Sequence, residues 1–132
     1  MTVLTETDDA DDPIAETMKS LLDGHLILSR ELAEQAHFPA IDILKSISRL
    51  ARSLMPPAQA AHAGRVLAGA SVHENARMLI DSGMYKSGAN PALDAAIRLK
   101  PALDAFLRQG ESEHCAHAVT SKRLEALHAE LR

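Results

Sequence analysis

The segment DPIAETMKSLLDGHLILSR, residues 12–30, carries the local signals that decide the fold of the N-terminal third. An aspartate before Pro13 can cap a helix whose first turn contains that proline, because the missing N–H needs no partner there. Gly24 is typical of a helix end. Residues 25–29, HLILS, form a short apolar run that predicts a buried parallel strand. The apolar residues of the helix are spaced by three and four, as on one face: Ile14, Met18, Leu21 and Leu22.

The neighbouring segments predict a strand–helix–strand pattern. Residues 2–7, TVLTET, are rich in β-branched residues and predict a short strand, and residues 31–36, ELAEQA, predict a short helix. Strands that alternate with helices are typical of an α/β sheet. Two strands make a poor sheet by themselves, so we expect the chain to be one part of a longer protein.

Residues 37–50, HFPAIDILKSISRL, raise the main question about function. Ile41, Leu44 and Ile47 have the spacing of a helical face, which predicts a helix that runs through Arg49 to the following Met-Pro-Pro stop. Arg49 then has two interpretations. It is a solvated charge on an amphipathic helix, or it points at a negative group that is not part of this chain.

The remainder of the chain predicts helices. Residues 57–82 form one long candidate helix, and SGMYKSGANP, residues 82–91, is a loop dense in turn-forming residues. Asn90 can cap the next helix, Pro101 can restart it, and residues 112–131 form a thinly apolar final helix. That final stripe suits a small antiparallel contact within the chain or a partner. The residues predicted to face inward are Leu93, Ala96, Ile97, Leu103, Phe106 and Leu107, and those of the final stripe are Val119, Leu124, Leu127 and Leu131.

Composition limits the class of protein. The chain has 132 residues, enough for one domain with a single hydrophobic core, and it contains no tryptophan. The net charge of −4 argues against a general nucleic-acid binder, which usually has a basic face. No apolar run approaches the ~18 residues that span a bilayer, and no signal peptide opens the chain. The single cysteine excludes an internal disulfide, and together these features predict a soluble, cytoplasmic protein.

Two polar clusters suggest metal or thiol chemistry. HCAH brings His114, Cys115 and His117 together, which suits Zn²⁺ or a histidine-activated thiol. The spacing matches no zinc finger, and no glycine-rich oxyanion turn accompanies the thiol, so a polar helix start is the favoured interpretation. DDADDP, residues 8–13, suits either Mg²⁺ or a capped helix start, and the cap is favoured. We therefore predict no metal site.

Three collinear blocks together resemble one known family. They are similar to the C-terminal part of the flagellar and type III secretion export ATPases, which are related to the catalytic subunits of rotary ATP synthases. The resemblance implies a mostly α fold: residues 1–50 form the edge of a RecA-like α/β ATPase core with a short βαβ remnant, and residues 51–132 form a helical C-terminal domain. The blocks are TVLTETDDADDPIAETMKSLLDGHLILSR (2–30), HFPAIDILKSISRL (37–50) and MYKSGANPALDAAIRLKPALDAFLRQG (84–110).

The resemblance also implies roles for three residues. Arg49, in SISR, matches the family's arginine finger, which reaches the nucleotide of a neighbouring subunit and neutralises charge on the transferred phosphoryl group. The family places this arginine on an irregular segment, residues 38–49, and not within a helix. Phe38 matches an aromatic residue that lies against the adenine, with an ordinary core phenylalanine as the alternative. Tyr85 matches another wall of that pocket, although Met84 replaces the alanine of the family's GAY; a loop tyrosine packed on helices is the alternative.

The same resemblance implies a function and partners. In the full-length protein the cofactors are ATP and Mg²⁺; this sequence contains no G-x-x-x-x-G-K-[ST] loop, so the chain alone is expected to bind neither and to hydrolyse no ATP. Expected partners are neighbouring subunits of a homohexamer, export chaperones, and stalk and regulator proteins, but no nucleic acid. The expected location is the cytoplasm, peripheral to the inner-membrane export gate. Two alternatives stay open: residues 91–132 as a helical docking module, and a free-standing helical protein without a nucleotide role.

Overall fold

The structure, a computed structural model, describes residues 13–131. The predicted strand at residues 2–7 therefore lies outside the described residues. The expected fold class is confirmed: the described chain is mostly helical, with a short two-stranded remnant at its N-terminal side. The elements are α1 (Pro13–Leu21), β1 (Gly24–Leu28), α2 (Arg30–Glu34), β2 (Ile41–Ser48), α3 (Ala51–Leu54), α4 (Pro57–Asn75), α5 (Arg77–Asp81), α6 (Pro91–Leu107) and α7 (His117–Ala129).

The two strands pair antiparallel, so the prediction of a buried parallel strand is wrong. The backbone N–H of Ser29 donates to the carbonyl oxygen of Ala40 at 2.8 Å, which closes the connection between the strands and starts β2 beside the end of β1. A parallel partner would need a crossover back to the other end of β1. Leu26 and Leu28 of β1 are exposed and not buried. The strand–helix–strand order is present, but it is not a parallel βαβ unit.

β2 replaces the helix that the apolar spacing predicts from Ile41 onward. The β-branched residues Ile41, Ile43 and Ile47 favour a strand, and pairing with β1 supplies backbone partners along the segment. The misleading spacing comes from a bulge, because residues 43–46 of β2 stand opposite Leu26 alone. The segment over residues 38–49 is therefore not helical: it consists of a loop, a strand interrupted by a bulge, and Arg49 after the strand, which agrees with the irregular segment that the family implies.

Side chains within the bulge replace the missing ladder bonds. Ser46 Oγ accepts the N–H of Ile27 at 3.0 Å and donates to the carbonyl oxygen of Asp42 at 2.6 Å. Asp42 Oδ1 accepts the N–H groups of Leu44 and Lys45 at 3.0 and 3.1 Å. The bulge is thus a hydrogen-bonded structure, which is what buried or half-buried backbone groups require.

Helices α4, α6 and α7 pack around one hydrophobic core. Its buried members are Val66 on α4, Leu99 and Leu103 on α6, and Leu127 on α7. Gly69 permits the close approach of α4, because a Cβ at that position would lie 2.9 Å from Leu99 Cδ2. The partly buried residues that pack on this core are Ile43, Ala70, Ala102, Phe106, Leu107, Leu124 and Leu131.

The helix boundaries differ from the predicted ones at two places. The helix predicted over residues 57–82 is two helices, separated at Ala76, whose φ and ψ are −100° and 2°. Pro101 does not restart a helix but lies inside α6, where burial of Leu99 and Leu103 on either side outweighs one missing backbone bond. The predicted cap is confirmed, since the Asn90 side chain accepts the N–H groups of Ala92 and Leu93.

The apolar stripe of the final helix packs within the chain. Leu127 is buried, and Leu124 and Leu131 contact the core. The prediction of an antiparallel contact is wrong for the main partner, α4, because contacts advance along both helices in the same direction: Gln59 Nε2 donates to Ser121 Oγ, and one turn or more later Arg65 contacts His128. Within residues 13–131, no helix has the length and apolar character that crossing a bilayer requires.

Candidate functional site

Arg49 follows the last residue of β2 and is exposed. Its backbone N–H donates to the carbonyl oxygen of Asp23 at 2.8 Å, which fixes the main chain at the end of the strand pair. Its guanidinium Nη2 donates to the carbonyl oxygen of Ser20 at 3.4 Å, a long hydrogen bond. Among the described residues, no carboxylate forms an ion pair with Arg49. The backbone is therefore anchored, while the charged head remains able to bind an anion.

Phe38 lies in the loop before β2, joined to Pro39 by a cis peptide bond. The residue is 55% exposed and does not belong to the hydrophobic core of the described chain. The carbonyl oxygen of Phe38 accepts the N–H of Gln109 at 2.9 Å, which fastens the loop to the segment just beyond α6. The ring is thus held on an anchored backbone and is open to an external planar group.

Tyr85 lies in the loop before α6 and is half-buried. Its hydroxyl donates to Asp94 Oδ1 at 3.0 Å and accepts the N–H of Asn90 at 3.2 Å. Asp94 Oδ2 also accepts the N–H of Gly88 at 2.9 Å. Burial raises the pKa of the Tyr85 hydroxyl, and the hydrogen bond to Asp94 adds to this. These contacts give Tyr85 a structural role in holding its loop on the first turn of α6.

The structure does not bring the three predicted site residues together within one chain. Arg49 and Phe38 lie beyond opposite ends of β2, and the β1 partners of those ends, Gly24 and Leu28, are about 13 Å apart at ~3.3 Å per residue. The Tyr85 hydroxyl forms hydrogen bonds at the start of α6. The Phe38 carbonyl oxygen accepts a hydrogen bond from Gln109, just after the end of α6. α6 has 17 residues and is about 25 Å long at ~1.5 Å per residue. A single chain therefore cannot place these side chains on one small group.

A cleft of about 290 Å³, which no sequence pattern indicates, lies between the strand pair with α2 and helices α4 to α6. We call it the seam cleft. Its lining includes His37, His73, Lys100, Asp104 and Arg77. Lys100 Nζ lies 2.5 Å from Asp104 Oδ1, and His37 is 4% exposed. The lining residues come from distant parts of the sequence, and no spacing pattern connects them.

Both histidines of the seam cleft are disfavoured in the charged form. Burial lowers the pKa of His37; Asp104 opposes this, and Arg108 and Lys100 add to it. Burial also lowers the pKa of His73, with Lys100 acting in the same direction and Glu74, Asp104 and Asp81 opposing. The Nδ1 atom of His73 is buried without a hydrogen-bond partner.

The HCAH cluster does not form a metal site within the described chain. Cys115 is exposed, and its nearest polar contacts are Thr120 Oγ1 at 3.5 Å and the carbonyl oxygen of Ala116 at 3.8 Å. Throughout residues 13–131, no group of three or more histidine, cysteine or acidic side chains is arranged to hold a metal ion. Most of the DDADDP cluster lies outside the described residues.

Two family sequence models match consecutive parts of the chain. The model of the T3SS EscN ATPase C-terminal domain matches residues 55–126, more than half of the chain. The model of the nucleotide-binding domain of the ATP synthase alpha/beta family matches residues 1–48.

Individual relatives agree with these matches. The flagellum-specific ATP synthase of Caulobacter vibrioides is 45% identical over 116 residues, covering 85% of this chain and 25% of that protein. The assembled ATPase EscN from the enteropathogenic E. coli type III secretion system superposes with a TM-score of 0.83 at 35% identity, covering 96% of this chain and 31% of EscN. EscN in complex with its central stalk EscO superposes with a TM-score of 0.75 at 34% identity, covering 88% of this chain and 29% of that EscN chain.

The chain spans between a quarter and a third of the length of the curated relatives it matches. The sequence and structure matches each cover most of this chain, and the fold described above superposes on that of EscN. The chain belongs to the family of the T3SS EscN ATPase C-terminal domain, the C-terminal region of the flagellar and type III secretion ATPases, which is related to the ATP synthase alpha/beta family.

Proposed function

We propose that this chain is the part of a protein-export ATPase that supplies Arg49 to the nucleotide site of a neighbouring subunit in a homohexamer. The observation that carries the proposal is the exposed Arg49 guanidinium, which has no carboxylate partner among the described residues and stands on an anchored strand end. An arginine placed in this way costs little to reorganise when it meets a phosphoryl group. Such preorganisation is the main source of electrostatic stabilisation in phosphoryl transfer.

The guanidinium would act on charge that develops as the γ-phosphoryl group is transferred. An arginine finger is worth ~10³–10⁵ in turnover, or about 4–7 kcal/mol at ~1.4 kcal/mol per decade. The planar fork can contact two phosphate oxygens at once, which a lysine cannot reproduce. Action on a neighbour's nucleotide agrees with the separation of Arg49 from Phe38, because the two side chains then serve different nucleotides.

Phe38 would contact the adenine of the nucleotide bound by its own subunit. Its ring is more than half exposed, and an aromatic face contributes ~1–3 kcal/mol to base stacking by analogy with nucleic-acid binding. ATP and Mg²⁺ would be held mainly by a phosphate-binding loop, a motif these 132 residues do not contain. Tyr85 stays a prediction that lacks support from the geometry, because it lies at the other end of α6 from the Phe38 loop.

A mixing experiment tests whether Arg49 acts in trans. Two variants of the full-length ATPase are prepared: Arg49→Ala, and one that lacks the phosphate-loop lysine. Each alone should be nearly inactive. Random mixed rings should recover about a quarter of the wild-type turnover, because one subunit interface in four then combines an intact loop with an intact neighbouring arginine. An arginine that serves its own subunit would restore nothing on mixing, and that result would overturn the proposal.

A second candidate function is docking of a central stalk protein. EscN is known in complex with its central stalk EscO, and this chain superposes on that EscN. Met78 on α5 and Met84 in the following loop are 85% and 69% exposed, and methionine suits adaptable binding surfaces. The stripe on α7 is less suited to docking, since Leu124 and Leu127 already pack on the core.

Binding of the cognate stalk protein tests this second function. We expect Met78→Asp with Met84→Asp to weaken binding by about tenfold or more, the loss typical of a disrupted interface anchor. Val119→Asp, at another exposed apolar side chain on α7, is the control and should bind normally. If the wild type, the double methionine variant and Val119→Asp bind the stalk protein with equal affinity, the surface around Met78 and Met84 has no docking role.

The remaining features of the proposal follow from the family. Residues 1–50 would belong to the edge of the nucleotide-binding core and residues 51–132 to the helical C-terminal domain, a division supported by the two family matches at residues 1–48 and 55–126. Export chaperones and regulators would be further partners. The assembly would work in the cytoplasm, peripheral to the inner-membrane export gate.

A further inference from the structure

The seam cleft separates two parts of the chain that are joined by few contacts. Ile43 of β2 packs on the helical core, and the Gln109 N–H donates to the Phe38 carbonyl oxygen across the seam. At the rim, Arg77 of α5 forms an ion pair with Glu31 of α2, and both side chains are exposed. An exposed pair of this kind contributes little, ~0–1 kcal/mol. The seam is therefore a place where a small change in free energy can alter the packing.

Two histidines lie inside this seam without the partners that would stabilise a proton. His37 is buried in the loop before β2, and none of the hydrogen bonds of the described chain involves its ring. His73 of α4 has a buried Nδ1 without a hydrogen-bond partner. Both line the same cleft, and both lie near the Lys100–Asp104 pair. An imidazolium in either position would add charge to a site that already contains an ammonium group.

We propose that the seam is a pH-sensitive latch, which is closed when His37 and His73 are neutral and loosens when they are protonated. Opening would hydrate the imidazolium rings and separate them from Lys100. This inference does not depend on nucleotide binding or on the role of Arg49.

The charges that face the two rings do not cancel this effect. Around His37 they are Asp104, Arg108 and Lys100, all from α6 or the residue that follows it. Around His73 they are Lys100, Asp104, Glu74 and Asp81. Each carboxylate is already within ion-pair distance of a cation: Asp104 with Lys100, and Glu74 and Asp81 with Arg77. The remaining charged side chains of the cleft, which pair among themselves or with Arg77, are Asp42, Lys45 and Glu31.

The direction of the pH dependence follows from the lowered proton affinity of both rings. A histidine whose pKa is lower in the closed state than the ordinary value of 6.5 favours the closed state above that pH. This stabilisation is lost as the pH falls through 6.5 toward the lowered pKa of the closed state. The latch should therefore be closed at neutral pH and loosen in mildly acidic solution.

NMR of the 132-residue chain tests the latch through the Gln109 amide, which bonds across the seam. Between about pH 7.5 and about pH 5, we expect its hydrogen-exchange protection factor to fall roughly tenfold after correction for intrinsic exchange. The Asp94 amide, which donates to the carbonyl oxygen of the α6 cap residue Asn90, is the internal control and should keep its protection. In the double variant His37→Gln, His73→Gln, the Gln109 protection should become independent of pH.

His114→Gln is the matched control, since His114 is exposed and lies outside the seam cleft. It should respond to pH as the wild type does. Constant Gln109 protection in the wild type, or an equal fall in the double variant, would overturn the latch. If the double variant does not fold, the pH titration of the wild-type chain decides. The proposal requires the Gln109 amide shift to change with the same midpoint pH as the ring of His37 or His73. A midpoint pH shared only with the His114 ring would overturn it.

Discussion

Two glycines of α4 offer a direct test of how closely the helices pack. A Cβ at Gly69 would lie 2.9 Å from Leu99 Cδ2 and 3.1 Å from Leu131 Cδ2, whereas a Cβ at Gly64 would meet no atom within 4 Å. Both residues lie inside the same helix, so Gly→Ala gains the same helix propensity at each position, ~0.5–1 kcal/mol. The variants therefore differ mainly in the steric contact.

The two substitutions should change the free energy of unfolding in opposite directions. Gly64→Ala should stabilise the fold by about 0.5–1 kcal/mol. Gly69→Ala should lose that gain to overpacking, which costs about 1–3 kcal/mol, because Leu99 has 0% exposure and no room to move. Urea unfolding should thus separate the two midpoints by about 1 M, for a difference of ~2 kcal/mol and a slope of ~2 kcal/mol/M. A Gly69→Ala variant as stable as Gly64→Ala would refute the close approach of α4 to α6.

Three further stability predictions use the same unfolding assay. Asn90→Ala should cost about 1 kcal/mol because it removes the cap of α6, whereas Asn75→Ala, exposed at the end of α4, should change stability by less than ~0.5 kcal/mol; equal losses would contradict the cap. Leu99→Ala should cost about 2–5 kcal/mol, far more than Leu67→Ala on the exposed face of α4, and a smaller loss at Leu99 would show that the core is placed wrongly. Tyr85→Phe should cost about 1 kcal/mol by removing the hydroxyl that bonds Asp94, and an unchanged midpoint would show that this bond does not hold the loop.

The helical part of the fold could be predicted because its signals are local. The side chain of Asn90, the following proline and the apolar spacing of Leu93 and Ala96 lie within a few residues of one another, and the helix forms where they indicate. The break at Ala76 has no such signal, since neither proline nor glycine stands there. The tertiary ion pair of Arg77 with Glu31 of α2 accompanies that break, and it is not visible in a local pattern.

β2 was predicted wrongly because its bulge imitates a helical repeat. Ile41, Leu44 and Ile47 have a helical spacing, yet the extra residues of the bulge produce it within a strand. Family resemblance indicated Arg49 and Phe38 as candidate residues, and the structure adds that both are exposed on anchored backbone. The seam cleft could not be found from the sequence, because His37 lies in a loop, His73 on α4 and Lys100 on α6, and the three share no motif.

The central claim is that Arg49 stabilises charge on a nucleotide, and the turnover number of the full-length ATPase measures this most directly. With Arg49→Ala, we expect kcat for ATP hydrolysis to fall by ~10³-fold or more, and Arg49→Lys should recover little of it. Arg52→Ala, at an exposed arginine on the adjacent α3, should leave kcat within about twofold of the wild type. A loss of less than about tenfold for Arg49→Ala, with a hexamer that still assembles, would contradict the account.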